Sequence, residues 1–553
     1  MSGDGSVPSM SFGQASLDLR DRAAVFAALE SQVFDVAVIG GGITGAGVAR
    51  DAALRGLSVA LVEQNDFASG TSSRSSKMIH GGLRYLAQGD LGLVHEAASE
   101  RKIVKAIAPH LAREVLFAIP ARSAASIAKL RAGLWTFERL GGVPRAKKHQ
   151  LWSREELARR EPAMETGDLA GAIAYPEYLT DDARLTLANV RSARAEGAAV
   201  ASYARVSGFV FEGARVVALE VEETLPGAAP RKAVLKARAI VNAAGPWVDQ
   251  IRAMETSEAT PRLALAKGIH LVCRREDLPV NDVVVTPAAG GRTIFVVPKG
   301  EATYIGTTDT FYQTPQTWPQ VTAGDAAYLL AAVRARFPRF AVAPDRITGV
   351  WCGTRPLVSE PGKSASDISR KDEVWTGPGG VLSIAGGKLT AYRRMAERVV
   401  DKLVHDHGFK ARACDTADEP LPGGEADPAK LVVELKGEGL SEVQAQRLVG
   451  LYGSEARSVA HSEGGPNAAA EAARAVVHEG ALTLEDYFVR RSARAWYDPD
   501  ESALEPAAEA MAPLLGWSAA DRAAQIDHCR AQKARDLAAV RAVGATAPIK
   551  AAG

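Results

Sequence analysis

The order of apolar and polar positions near the start of the chain predicts a β-strand, a helix and a second β-strand. Residues 34–39 form a mostly apolar, β-branched run, which is typical of a strand buried in a parallel sheet. Residues 44–56 have helical spacing of apolar positions, and residues 57–62 form a second strand-like run. This βαβ unit favours a parallel sheet with helices on its faces. A short helix is predicted before it, over residues 18–30.

Later segments predict more strands and, towards the end, helices alone. Strand-like runs cover residues 231–242 and 381–385, and the second of these leads into a long helix. Residues 291–309 have the pattern of a β-hairpin. Residues 415–545 are rich in Ala, Glu and Arg with helical periodicity, which predicts an all-α module. The Gly, Pro and Asp residues at 418–429 predict the linker that joins it to the rest.

The composition excludes several classes of protein. The chain has 553 residues, of which 47% are hydrophobic and 24% charged, as in ordinary soluble globular proteins. A formal net charge of +1 argues against a strongly basic nucleic-acid binder and against an acidic tail protein. Four cysteines without a C-x-x-C pair argue against a zinc site, an iron–sulfur site and a disulfide scaffold, and favour a reducing, intracellular compartment.

Membrane contact, if it occurs, is expected to be peripheral. The first residues do not have the layout of a signal peptide. No apolar run in the sequence reaches the roughly 18 residues that a membrane-spanning helix needs.

A glycine-rich turn lies between the first strand and the first helix of the βαβ unit. Gly40, Gly42 and Gly45 fit G-x-G-x-x-G in the strand–turn–helix context that makes this motif informative. Such glycines let a pyrophosphate approach the helix N-terminus, where free N–H groups favour anions. Glu63 ends the second strand, where an acid would hold the ribose hydroxyls of an adenosine. The motif predicts FAD or NAD, and the acid argues against NADP; an ordinary βαβ turn with a surface glutamate is the alternative.

A longer motif decides between these cofactors. Residues 71–85 read T-S-S-R-S-S-K-M-I-H-G-G-L-R-Y, which resembles the T-S-S-x-S-S-K-x-I-H-G-G-x-R-Y segment of FAD-dependent glycerol-3-phosphate dehydrogenases. The resemblance covers about residues 34–496, with mild departures at Ile269 and Ser492, where small Ser and Thr are common. Further matches follow in the family's order at residues 267–270, 305–309, 353–357, 386–390 and 486–491.

The resemblance implies a fold, a domain order and a reaction. The fold is α/β: a glutathione-reductase-like FAD-binding domain, a D-amino-acid-oxidase-like mixed-sheet substrate domain and a C-terminal all-α domain. The reaction is FAD-dependent oxidation of sn-glycerol 3-phosphate to dihydroxyacetone phosphate in glycerol and glycerophosphate catabolism, with electrons passed to a membrane quinone. The expected division is an N-terminal extension (1–33), an oxidoreductase region (34–410) whose FAD-binding segments lie at about 34–120, 180–262 and 350–405 with substrate-domain segments between them, and a C-terminal helical domain (411–553).

A phosphorylated substrate needs fixed cations, and several stand beside glycine turns. Arginine suits bidentate contact with a phosphate group, and two or three cations would match its charge of about −1.5 to −2. A solvated surface charge is the alternative for each, and only the resemblance supports Arg370. The expected substrate contacts are Arg84, Tyr85, Thr308, Arg355, Arg370 and Lys388.

Oxidation of a hydroxyl group removes a hydride and a proton, so the site also needs a base. His80 and His270 are the candidates, because the ordinary pKa of histidine lies near working pH. Arg355 could assist by stabilising the alkoxide. Either histidine could instead pack in the core or line the flavin, and the sequence does not assign the base.

Cofactor contacts are expected where small residues let the backbone approach the flavin and its phosphates. They are Gly40, Gly42, Ile43, Thr44, Gly45, Glu63, Ser72, Ser73, Ser76, Lys77, Ala244, Gly245, Trp247, Gly386, Gly387, Leu389 and Thr390.

The sequence leaves three functions open. The first is the quinone-linked dehydrogenase. The second is an oxidase that hands its electrons to oxygen, either in the same family or acting on another small hydroxy or amino acid; the family's oxidases carry an added internal segment that is not obvious here. The third is a flavin-binding redox sensor without turnover, against which the set of phosphate-binding cations argues.

The resemblance also implies peripheral association with the cytoplasmic face of an anionic inner or plasma membrane, and it leaves a homodimer open. Residues 122–148 are the best local candidate for the contact, with seven basic residues against Glu138, a net charge of +6. Apolar residues recur there at helical spacing, and Trp135 could lie at headgroup depth. An ordinary helix packed on the core, with solvated charges, is the alternative.

Overall fold

The computed structural model of the protein describes residues 16–81, 91–140, 143, 148–340, 342–360, 371–462 and 465–543. The strands in these residues are β1 (Phe34–Ile39), β2 (Val59–Val62), β3 (Met78–Ile79), β4 (Arg113–Ala121), β5 (Gln150–Ser153), β6 (Gly171–Leu179), β7 (Ala199–Ala201), β8 (Ala204–Glu212), β9 (Arg215–Glu223), β10 (Lys232–Asn242), β11 (Leu263–Arg274), β12 (Val283–Pro287), β13 (Thr293–Lys299), β14 (Ala302–Gly306), β15 (Thr310–Tyr312), β16 (Ile347–Val358), β17 (Asp372–Thr376) and β18 (Leu382–Gly386). The helices are α1 (Arg22–Glu30), α2 (Ile43–Leu54), α3 (Leu91–Ile107), α4 (Ala124–Leu140), α5 (Arg154–Arg160), α6 (Asp182–Ala195), α7 (Val248–Glu255), α8 (Ala323–Arg336), α9 (Tyr392–His407), α10 (Pro428–Gly437), α11 (Glu442–Tyr452), α12 (Ala456–Ala460), α13 (Ala468–Glu479), α14 (Arg494–Tyr497), α15 (Leu504–Leu515) and α16 (Ala519–Arg541).

The first sheet is built around the βαβ unit that the sequence predicts. Its strands lie in the order β17-β18-β10-β1-β2-β7. From β18 to β7 the neighbours run parallel, while β17 is antiparallel to β18 and β9 pairs antiparallel with the first half of β10. Buried side chains of α2 and α9 pack on one face, and those of α1 pack on the other. The carboxyl ends of the parallel strands therefore meet at one edge, where α/β sheets bind ligands.

The second sheet is mixed, and its strands are interleaved along the chain with those of the first sheet. Its order is β15-β11-β14-β13-β12-β4-β6-β3, with β16 paired to β11 and β5 to β6. The pair β12 and β4 is parallel, whereas β11 and β16 run antiparallel over almost their whole length. Helix α8 packs on this sheet through Leu329 and Val333, both fully buried. The mixed sheet of the predicted fold class is thus confirmed.

The C-terminal helices are packed against both sheets. The last helix, α16, buries Leu537 and Val540 in the core of the second sheet. The segment predicted as a linker, 418–429, also packs on the body: Leu421 is fully buried, and its N–H donates to the carbonyl of Ile107 at 2.8 Å. The linker prediction did not include this packing, in which a Cβ on Gly424 would lie 2.3 Å from the carbonyl oxygen of Ile107.

A charged junction ties the C-terminal helices to the first sheet. Asp66 follows β2, and its carboxylate pairs with Arg490 and Arg491 of a π-helical turn at Asp486–Arg491. Arg491 also donates to the carbonyl of Glu479 at 2.8 Å. Although burial alone would raise the pKa of Asp66, the charges of Arg491 and Arg490 hold it below its usual value.

Candidate active site

The glycine turn after β1 is shaped by close contacts between backbones. Gly40 has a φ of +105°, and a Cβ there would lie 2.7 Å from the carbonyl oxygen of Ala243 at the end of β10. A Cβ on Gly45 would lie 1.9 Å from the carbonyl oxygen of Gly40, so α2 can start this close to the turn only without a side chain. Gly42 is the N-cap of α2 and brings no side chain to its N–H groups. The helix therefore presents backbone donors to the space in front of it.

Glu63 lies at the end of β2, beside this turn. One carboxylate oxygen accepts the N–H of Gly41 at 2.7 Å, and the other accepts the N–H of Asn65 at 2.9 Å. Burial raises the pKa of Glu63, although these two hydrogen bonds act against the shift. The acid thus holds the glycine turn in place as well as facing the cavity.

A cavity of about 530 Å³ runs from this turn, along the edge of the first sheet, to the second sheet. Its size is in the range of ordinary ligand and cofactor sites. Most of the residues predicted from the sequence line it, from both sheets. They are Gly40, Gly42, Ile43, Thr44, Glu63, Ser72, Ser76, His80, Ala244, Gly245, Trp247, Arg355, Gly386, Gly387, Lys388, Leu389 and Thr390.

Five predicted residues do not line this cavity: Gly45, Ser73, Lys77, His270 and Thr308. Lys77 lies in the loop predicted to contact the flavin, but its side chain is directed away from the cavity. Its Nζ is buried, donates to the carbonyl of Ser73 at 2.9 Å and pairs with Asp182. Thr308 is buried too, and its hydroxyl accepts the N–H of Ile269 at 3.0 Å.

Arg84, Tyr85 and Arg370, which the sequence also predicts as substrate contacts, lie outside the described residues.

Arg355 projects from β16 into the cavity, where it is held by the turn that follows β14. Its guanidinium donates to a carboxylate oxygen of Asp309 at 3.1 Å and to the hydroxyl of Thr307 at 3.2 Å. The same carboxylate pairs with Arg292 at 3.2 Å through its other oxygen.

Arg292 lines the cavity and was missed by the sequence reasoning. It follows two glycines, Gly290 and Gly291, at the start of β13, much as Lys388 follows Gly386 and Gly387. That shared pattern was the signal that could have found it.

The two candidate bases differ in their access to the cavity. His80 lines it directly; burial lowers its pKa to about 3, and the charges of Lys388 and Arg101 act in the same direction. His270 lies behind Ser76, whose hydroxyl is 2.9 Å from its Nε2, and its ring stacks on Trp351. Burial, with the charges of Arg355 and Lys77, lowers the pKa of His270 well below its usual value. Both shifts favour the neutral imidazole, which is the form that can accept a proton.

The chain was compared with known protein families, and two family descriptions match consecutive parts of it. Residues 35–393 match "FAD dependent oxidoreductase", and residues 414–522 match "C-terminal domain of alpha-glycerophosphate oxidase". The aerobic glycerol-3-phosphate dehydrogenase of Staphylococcus saprophyticus is 36% identical over 530 residues, which is 91% of this chain and 95% of the relative. That of Staphylococcus aureus is 39% identical over 442 residues, or 77% of this chain and 79% of the relative. The chain belongs to the FAD-dependent glycerol-3-phosphate dehydrogenase family.

Solved structures agree with this membership. The glycerol-3-phosphate dehydrogenase of Bacillus halodurans, in complex with FAD, has a TM-score of 0.77 and 31% identity, and covers 94% of this chain and 98% of its own. L-alpha-glycerophosphate oxidase of Mycoplasma pneumoniae has a TM-score of 0.54 at 17% identity over 71% of this chain and 99% of its own, which shows a shared fold. The predicted FAD-dependent family and fold are both confirmed.

The described residues fit FAD, the cofactor of this family. A Cβ on Gly42 would lie 3.2 Å from the hydroxyl of Ser72, so a side chain would occupy the space in front of α2 that a pyrophosphate needs. Gly386 and Gly387, which have φ values of +79° and +77°, also line the cavity. The N-terminus of α2 would hold the phosphates of FAD, and Arg355 and Lys388 line the same cavity.

Proposed function

We propose that this protein oxidises sn-glycerol 3-phosphate to dihydroxyacetone phosphate. The observation that carries the proposal is that three cations, Arg355, Lys388 and Arg292, line the FAD cavity. At about 4 Å and an effective dielectric near 20, each contact with a phosphate oxygen is of order 4 kcal/mol before the cost of desolvation is subtracted. Such a group of cations has no evident task with an uncharged alcohol. The names of the dehydrogenases similar to this chain support the same substrate.

The cofactor and the protein carry out different parts of the proposed oxidation. FAD, when bound, accepts the hydride that leaves the substrate carbon. The protein binds and orients the substrate through its cations, and it takes the proton of the hydroxyl group. His80 can accept that proton directly, and His270 can accept it through Ser76. Because burial keeps both pKa values low, a nearby cation such as Arg355 is needed to make the hydroxyl more acidic.

Anaerobic titration of the purified, yellow protein tests the substrate. Glycerol 3-phosphate should bleach the visible flavin band, and glycerol at the same concentration should not. Glycine serves as a control for an amino acid oxidase. Equal bleaching by glycerol and glycerol 3-phosphate would overturn the role of the cations, and bleaching by glycine alone would favour the amino acid oxidase.

We propose a membrane quinone as the electron acceptor, in line with the aerobic dehydrogenases to which the chain is similar. An oxidase is the second candidate, because residues 414–522 match a domain described from alpha-glycerophosphate oxidase. Stopped-flow mixing of the reduced enzyme with oxygen or with a water-soluble quinone separates them. The proposal requires reoxidation to be much faster with quinone; faster reoxidation by oxygen would favour the oxidase.

A lipid-soluble acceptor requires peripheral contact with a membrane, and we propose helix α4 as the contact. Within the described residues, no helix is both long and apolar enough to cross a bilayer. Leu134 and Phe137 of α4 are buried against the protein, as the alternative for this segment assumed. Trp135 is nevertheless 55% exposed, and Lys129 and Arg131 are exposed on the same helix. These groups suit an anionic headgroup layer. Arg145 and Lys147, which the sequence reasoning included, lie outside the described residues.

Sedimentation with anionic liposomes tests this surface. Binding should occur at low salt, weaken at high salt, and fall when Lys129→Glu is combined with Arg131→Glu. The matched control reverses Lys232 and Lys236, two exposed lysines of β10. Equal loss in both double variants, or none in either, would place the contact elsewhere.

A further inference from the structure

Asp309 occupies a bridging position between two arginines at the substrate end of the cavity. One oxygen accepts from Arg355 at 3.1 Å, and the other lies 3.2 Å from a guanidinium nitrogen of Arg292. The Asp309 side chain is only 3% exposed, although the residue reaches the cavity wall. Arg292 also donates to the backbone carbonyl of Asp309 at 3.2 Å, so it contacts both the carboxylate and the backbone of Asp309.

The guanidinium of Arg355 packs directly against the backbone of Gly268. A Cβ on Gly268 would lie 2.4 Å from one guanidinium nitrogen and 2.5 Å from the hydroxyl of Thr307. Thr307 accepts a hydrogen bond from Arg355 at 3.2 Å, and the carbonyl of Thr308 accepts another at 3.3 Å. The turn 307–309 therefore holds the Arg355 guanidinium through three residues.

The position of Asp309 between Arg355 and Arg292 suits a site that binds an anionic ligand. Two guanidinium groups that approach one anion repel each other and need a counter-charge. A guanidinium has five N–H donors, so a carboxylate that takes one or two of them leaves others for a ligand. We infer that Asp309 is a positioning residue: it holds Arg355, with Arg292 as its anchor on the other oxygen, in the orientation that receives the phosphorylated substrate. This inference rests on the proposed function and deepens it.

The direction of the change in KM distinguishes a positioning role of Asp309 from a purely electrostatic role. Asp309→Asn removes a negative charge from a site for an anion. If Asp309 acted only through its charge, the variant would bind glycerol 3-phosphate more tightly, and KM would fall. If Asp309 positions Arg355, KM should rise by about 10- to 100-fold, the range for a lost charge-assisted hydrogen bond.

The experiment measures kcat and KM for glycerol 3-phosphate with an artificial dye as acceptor, together with the FAD content of each variant. The variants are Asp309→Asn, Arg292→Lys and the two combined. Arg292→Lys keeps the positive charge but cannot contact the carboxylate and the backbone carbonyl of Asp309 together, so KM should rise by about 3- to 10-fold. In the double variant the rise in KM should be smaller than the product of the two single rises, because both substitutions remove the same interaction between Asp309 and Arg292.

A matched control is Asp168→Asn, since Asp168 also bridges two arginines, Arg336 at 2.9 Å and Arg122 at 3.0 Å, and it does not line the cavity. Its kinetic constants should equal those of the wild type.

An unchanged or lower KM in Asp309→Asn, or fully multiplicative losses, would overturn the inference. If Asp309→Asn does not retain FAD, Arg292→Lys alone decides: an unchanged KM overturns the inference. Failure of the proposed function is distinguishable, because the wild type itself would then show no reaction with glycerol 3-phosphate.

Discussion

The junction between Asp66 and the arginines of the C-terminal helices gives a quantitative prediction. Asp66→Asn removes the carboxylate that pairs with Arg491, and one of the three that pair with Arg490, which keeps Glu485 and Asp486. Arg490 and Arg491 are 2% and 1% exposed and cannot turn to solvent. Breaking a buried ion pair by removal of one partner costs about 3 to 5 kcal/mol. We expect the temperature of FAD release, followed by the rise in flavin fluorescence, to fall by roughly 5 to 10 °C. The loop that carries Asp66 continues into Ser69, which lines the FAD cavity, so the loss should be visible at the cofactor.

The control for this prediction is Asp18→Asn. Asp18 pairs with Arg20 at 2.6 Å, but its side chain is 43% exposed, and exposed pairs contribute about 0 to 1 kcal/mol. Equal release temperatures for the two variants would refute the reasoning.

The pH dependence gives a second readout of the same pair. Because the pKa of Asp66 is lower in the folded protein, its stabilisation is complete above the unfolded pKa of about 3.9 and is lost as the pH falls through the folded value. Asp66→Asn should therefore lose less stability than the wild type on acidification below about pH 4.

Further predictions concern the two ends of the cavity. Gly42→Val should abolish FAD retention, because its side chain enters the space in front of α2, whereas Gly437→Val, whose Cβ would meet nothing within 4 Å, should keep its FAD; a yellow Gly42→Val protein would contradict the cofactor site. Arg355→Ala and Lys388→Ala should each lower kcat/KM at least 100-fold, about 2.7 kcal/mol, with FAD still bound, and near-normal steady-state activity in both would move the site elsewhere. Of His80→Asn and His270→Asn, the one that removes the base should lower the rate of flavin reduction about 100-fold or more in stopped flow, and two unchanged rates would exclude both histidines.

Local sequence patterns were sufficient to predict the residues that line the FAD-binding part of the cavity. The glycine turn, Glu63 and the glycines at the end of β18 are fixed by short-range geometry, since each lies where a strand ends. The strands that were predicted, β1, β2, β10, β13, β14 and β18, begin and end within a few residues of the expected positions, whereas the other strands of the described residues were not predicted. Which strands lie side by side was not predictable in detail: β7 and β10 enter the first sheet from distant parts of the chain.

Side-chain direction was the part that the sequence could not supply. Lys77 lies in the expected loop, but its φ of +55° and its pairing with Asp182 turn the side chain away from the cavity. His270 lies on β11 but does not line the cavity, and the hydroxyl of Ser76, which does line it, is 2.9 Å from its Nε2. Arg292 reaches the site because the hairpin of β13 and β14 pairs through β14 with β11, which in turn pairs with β16, the strand of Arg355. Each of these outcomes depends on residues far away in the sequence.

The most direct test of the central claim is a single turnover without oxygen. The FAD-loaded protein is mixed with an excess of sn-glycerol 3-phosphate, the bleaching of the flavin is measured, and dihydroxyacetone phosphate and inorganic phosphate are quantified. We predict one dihydroxyacetone phosphate for each FAD reduced, with no release of inorganic phosphate. Reduced flavin without dihydroxyacetone phosphate, or no reduction of a fully loaded protein, would contradict the proposed reaction.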